Sequence, residues 1–279
     1  LIGASLSMPR PVLSILCMSL LAGLTTQAKN AETPSAWDLV ALGLVNEAHD
    51  AFEDHPPEDR TARFGEAVTL INLQPKTRSN LDRAEKLLAL VAAHDGDDEL
   101  GVGARYYLAR IAQFHRPSPD LPEALRIYHQ LAASESRAAL AQRALVQIAL
   151  IELFEPGVPR EEVAARFDRL ALRGKTLTEP SARRDFNLVM GDAALRFELG
   201  DTVALDHLLT ADETGLARPI TQRDTWVRIA ELARRAGRDE TAITYYRRFA
   251  DTFVRDSRNT MVSQRLKTLV AKKQKEVSQ

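Results

Sequence analysis

The sequence predicts an all-α protein, an α-solenoid of about five antiparallel helix pairs with capping helices at its ends. Apolar residues recur at three-and-four spacing, as in Ala104, Leu108, Ile111 and Ala112 and then Leu125, Tyr128 and Leu131, so each set lies on one helical face. Strand signals are lacking, and aromatic residues make up only 6% of the chain. Small residues return with a period near forty, which makes the helices members of a repeated unit.

Taken in order, residues 1–28 stand apart. MPRPVLSILCMSLLAGLTTQA begins at Met8, carries one charge at Arg10 and then runs uncharged to Ala28, the outline of a secretory signal cleaved after Ala28. Residues 1–7 form a possible upstream extension without a structural role, and the only cysteine, Cys17, falls inside the apolar core of the signal. The remaining chain then has no thiol for disulfide or cysteine chemistry. It carries 36 positive and 38 negative residues, a net charge of −2, because Arg10 is the only charge removed.

Residues 29–58 are expected to hold a capping helix over 36–53 and a linker, with His55-Pro-Pro ending the helix. Repeats are expected over 59–254. Asp120-Leu-Pro-Glu123 and Thr221-Gln-Arg-Asp224 each place a capping side chain three residues before a carboxylate, and Thr178-Glu-Pro puts proline where a first-turn amide has no partner to lose. Residues 255–279 are expected to form a last capping helix with Met261, Leu266 and Val270 inward, followed by a basic tail.

The repeat shows in two parallel series. First helices align on Ala67, Ala109, Ala149, Gly191 and Ala230, at spacings of 42, 40, 42 and 39. Second helices carry Ala84, Ala124, Ala164, Ala204 and Ala242, at spacings of 40, 40, 40 and 38. Helices approach closely only where side chains are small, and a large partner side chain fills the space beside them. Trp226, Ala230, Ala242 and Tyr246 supply this arrangement in one unit, and Ala109, Ala124 and Tyr128 in another. In the unit of Ala149 the best fit is Val163-x-x-x-Phe167, one residue out of the alanine register.

The unit Trp226-x-x-Ile229-Ala230-x-x-Ala233 with Ala242-x-x-x-Tyr246 resembles the tetratricopeptide repeat. Phe154-Glu-Pro-Gly-Val-Pro-Arg is similar to the loop of Sel1-like repeats, a longer relative. The period is near forty rather than thirty-four, and Val254 stands where a repeat commonly closes on proline. The resemblance implies a right-handed superhelix whose first helices line a concave groove. It implies ligand contacts from Tyr106, Arg110 and Gln113 in one unit, Asp192, Leu195 and Arg196 in another, and Asp224, Val227, Glu231 and Arg234 in the last.

Catalytic and metal motifs are not found. No histidine pair has the spacing of a helical zinc site, and HExxH, GxSxG, P-loop and GxGxxG patterns are absent from the sequence. The acidic run from Asp95 has Leu100 and Tyr106 where a calcium loop needs glycine and glutamate. No catalytic residue, metal or cofactor is therefore expected. The near balance of charge gives no global attraction to nucleic acid, and membrane association is expected only through the N-terminal segment if it stays uncleaved.

Together these readings point to a non-catalytic, exported scaffold, periplasmic or secreted, that binds a protein or peptide of the bacterial cell envelope, with a homodimer as a further partner state. The alternative is a carbohydrate- or peptidoglycan-associated accessory protein, or an enzyme built on a helical solenoid. It calls for aromatic residues exposed along the groove as sugar platforms, with Tyr106 and Phe186 the candidates.

Overall fold

A computed structural model describes residues 35–56, 58–93, 98–134 and 136–277; the signal assigned to residues 1–28 and the acidic run from Asp95 to Asp97 lie outside them. The described residues form thirteen α-helices and no strand. These are α1 (Ala36–Ala41), α2 (Val45–Glu53), α3 (Arg60–Asn72), α4 (Arg78–Ala92), α5 (Glu99–Arg110), α6 (Leu121–Ala133) and α7 (Ala139–Phe154). They continue with α8 (Arg160–Gly174), α9 (Pro180–Arg196), α10 (Asp201–Thr214), α11 (Pro219–Arg235), α12 (Asp239–Thr252) and α13 (Asn259–Val277). A single π-helical turn, Ile111–His115, extends α5.

Local signals begin several of these helices. The Asp59 carboxylate accepts from the Thr61 and Ala62 amides at 2.9 and 3.1 Å, the Asp98 carboxylate from Gly101 N at 2.8 Å, and the Asp120 carboxylate from Glu123 N at 3.0 Å. Pro180 opens α9 behind a Glu179 cap, as its first-turn position predicts. Two expectations are corrected. The helix expected over 36–53 breaks into α1 and α2 at Gly43, whose φ of 76° belongs to the left-handed region that a helix-stopping glycine supplies. Thr221 lies inside α11, which starts two residues earlier on Pro219 without a side-chain cap.

Each helix packs on the next in sequence, and alternate helices α3, α5, α7 and α9 also touch in turn. The small residues lie in these contacts. Ala67, Ala109, Ala149 and Ala230 are fully buried, as are Ala84, Ala124, Ala204 and Ala242. Ala164 is only half-buried, and Val163 and Phe167 are buried instead, which places this helix one residue out of register with the others. A β-carbon at Gly191 would fall 2.7 Å from the Leu208 side chain of α10, and one at Gly174 would fall 2.2 Å from the Phe186 ring of α9. Both glycines are therefore required by close approach.

Apolar burial runs in two clusters, one across α3 to α5 and one from Val102 to Leu269, with Tyr107 and Leu108 packed against both. In α13 the inward residues are Val262 and Leu269, with Met261 and Leu266 at the margin, a rotation from the expected face of Met261, Leu266 and Val270.

A ladder of polar contacts crosses the stack. Arg60 reaches the Val91 carbonyl and Asp98, Arg116 reaches Glu85, Arg160 reaches Glu198, Arg235 reaches Asp201, Arg238 reaches Asp206, Arg248 reaches Asp212, Arg258 reaches Asp224 and Lys272 reaches Asp239. These partners are 31 to 38 residues apart. Exposed pairs contribute roughly 0–1 kcal/mol each, so the ladder fixes register more than it adds stability.

Candidate functional site

The residues one and five positions after each first-helix seam residue share a helical face, because they are about one turn apart. In chain order this face carries Val68 and Asn72, Arg110 and Phe114, Leu150 and Phe154, Asp192 and Arg196, and Glu231 and Arg235. Its chemistry changes along the array.

At the C-terminal end the polar residues are joined to one another. Asp192 pairs with Arg228, and Asp224 accepts from Arg258 at 2.9 Å and from Arg223 at 3.3 Å. Glu231 accepts from the Tyr246 hydroxyl and pairs with Arg265 and, at 3.3 Å, with Arg234. Val227 is buried. These residues join helices to each other.

Toward the centre the arrangement is different. Tyr106 and Gln113 are buried; Tyr106 lies 5.7 Å from the Tyr128 ring, and Gln113 accepts a hydrogen bond from the Tyr128 hydroxyl at 2.9 Å. Burial raises the Tyr106 and Tyr128 phenols above their ordinary range, so both remain neutral donors. Arg110 and Arg196 have no carboxylate partner among the described residues. The Arg110 guanidinium lies 4.4 Å over Phe114, and that of Arg196 lies 5.6 Å from Phe154 and 5.8 Å from Phe197. Phe114 is 51% exposed and Leu150 is 36% exposed.

Sequence reasoning named Arg110, Arg196 and Leu195 but missed Phe114, Leu150 and Phe154. Phe114 lies in the π-turn that extends α5, and such turns often accompany functional sites. The seam offset alone locates Phe114, Leu150 and Phe154, so that signal was available in the sequence.

The arrangement offers cations on aromatic faces beside exposed apolar surface, without a nucleophile and base brought together. Of the two aromatic platforms expected for a sugar, Phe186 is buried against Gly174 and Tyr106 is buried against Tyr128. Among the described residues one group could hold a metal: His49, Glu53 and Glu66 present ligand atoms within 4.8 Å of one another. Arg83 lies 2.7 Å from Glu53 and 2.6 Å from Glu66, so a guanidinium supplies the positive charge there. No helix among the described residues is long and apolar enough to cross a membrane. No protein-family model matches the chain, and no curated protein matches it.

The closing turn after α12 has a pH dependence of its own. Asp256 is held at about 2, below its ordinary 3.8, by hydrogen bonds from the Arg258 side chain and backbone amide and by the charges of Arg258 and Arg223. Because the folded value is depressed, its contribution is complete above pH 4 and is lost as pH falls toward 2. Asp256→Asn is expected to lower the melting temperature at pH 5 and to lower it much less at pH 2; an equal difference at both would refute this assignment.

Proposed function

We propose that the protein is a non-catalytic interaction scaffold, a right-handed solenoid of five antiparallel, tetratricopeptide-like helix pairs that binds a protein or peptide along its first-helix face. The reading is supported above all by Arg110 over Phe114 and Arg196 over Phe154 and Phe197, cations without carboxylate partners beside exposed apolar side chains. Aromatic and arginine side chains are the residue types that anchor interfaces, and an extended segment or partner helix can lie across several units. The secretory outline of residues 1–28 supports an exported location and a partner in the cell envelope.

A photo-cross-linker at Leu150, read by mass spectrometry from intact cells, tests the whole proposal. Recovery of one envelope protein is expected, with at least a tenfold loss of yield in Arg110→Ala and Arg196→Ala. Capture of glycan fragments alone, or of nothing, would overturn it.

A further inference from the structure

The loop between α3 and α4 meets the π-turn at a cluster of cations. Lys76 Nζ is 2.8 Å from Nδ1 of His115. Burial, then the charges of Lys76 and Arg110, keep His115 below its ordinary value of 6.5, so the ring is neutral near pH 7 and accepts from the lysine. With Nδ1 accepting, the ring proton lies on Nε2, which is a third donor in the same corner.

Neither Lys76 nor Arg110 has a carboxylate within ion-pair distance among the described residues. The acids around them already have partners: Glu85 pairs with Arg116 at 2.9 Å, Asp120 with Arg116 at 3.7 Å, and Asp82 with Arg78 at 3.9 Å. A cleft of about 650 Å³ opens beside Lys76, lined by Leu81, Glu85, His115 and Arg116. Phe114, under the Arg110 guanidinium, keeps half of its surface in solvent.

We propose, building on the groove reading above, that this corner receives an acidic segment of a partner protein, with a carboxylate between Lys76 and Arg110 and a neighbouring apolar side chain on Phe114. Two cations without a carboxylate partner, set beside a neutral histidine donor and an exposed ring, favour a negative charge from outside. The exposed ring supplies the apolar anchor that charge alone does not. Asp82 and Glu85 line the same cleft and disfavour a continuous polyanion such as RNA, whose successive phosphates would meet them.

The test uses the full chain, immobilised and screened against a displayed library of random twelve-residue peptides. Selected peptides are expected to carry Asp or Glu beside Phe, Trp or Leu. The tightest, made synthetically, is expected to lose at least tenfold in affinity with Lys76→Glu or Arg110→Glu, and equally when its own acids become amides, a change that leaves the protein's fold untouched. Arg169→Glu, on the distant α8, is expected to leave binding unchanged. Neutral or basic peptides that lose affinity only on Arg196→Ala would overturn the acidic assignment and leave the groove reading standing. No selected peptide would overturn both, and tighter binding of an oligouridine than of any peptide would replace the proposal with a nucleic-acid site.

Discussion

Asp212→Ala is expected to destabilise the segment from α10 to α12 by about 3 kcal/mol, the cost of breaking a buried charge pair. The Asp212 side chain is only 8% exposed and joins three helices. It accepts from Trp226 Nε1, from the Tyr245 hydroxyl and from Arg248, each at 2.7 Å. Arg248 in turn lies 4.2 Å over Trp226 and 5.0 Å over Tyr245. Alanine leaves two donors without an acceptor and a guanidinium without a counter-charge. Because Arg248 is 43% exposed it regains water, which holds the loss below that of a sealed pair. Hydrogen exchange across residues 201–252 is the direct measurement, and unchanged protection there would count against the network.

Gly191→Leu is expected to cost about 2–3 kcal/mol, the upper part of the range for overpacking a helix contact. The added β-carbon alone meets Leu208 at 2.7 and 2.9 Å, and the Ala204 carbonyl stands 3.6 Å away, so α9 and α10 must separate. In a stack where each unit leans on its neighbours, the loss is expected to appear first at α9 and α10 and then to spread outward. Adding Leu208→Ala is expected to restore most of the stability, since it clears the space the new side chain needs. A single variant that melts with the parent would show that the seam passes elsewhere.

The seam was legible in the sequence because small residues at a fixed spacing have one main physical use in stacked helices. Ala109, Ala149 and Ala230 were readable for that reason, and so was the shift to Val163 and Phe167 in α8. The candidate site was legible only in part. Tyr106 and Gln113 were expected on the open face, but the Tyr128 hydroxyl needs a buried acceptor and Gln113 provides it. Phe114 stands at the same five-residue offset from Ala109 that Arg196 has from Gly191, but Gln113 was assigned in its unit instead. Asp192, Asp224, Glu231 and Arg234 were assigned from their offset alone, and offset carries no information about a partner some 34 residues away, such as Arg258 for Asp224. Nor could spacing show that Gly43 divides the first helix, since glycine within a helix and glycine at its end look alike in a single sequence.

The ladder of pairs 31 to 38 residues apart has a mechanical consequence. Apart from Arg248 on the buried Asp212, each tie crosses from one helix to another at the surface, where it resists bending and torsion but contributes little to the melting point. Ties of this kind are screened by electrolyte, with a Debye length that shrinks from about 10 Å at 0.1 M to about 3 Å at 1 M. The buried seams of alanine and glycine are not screened. The packing of neighbouring helices thus persists while the surface ties between them loosen with salt.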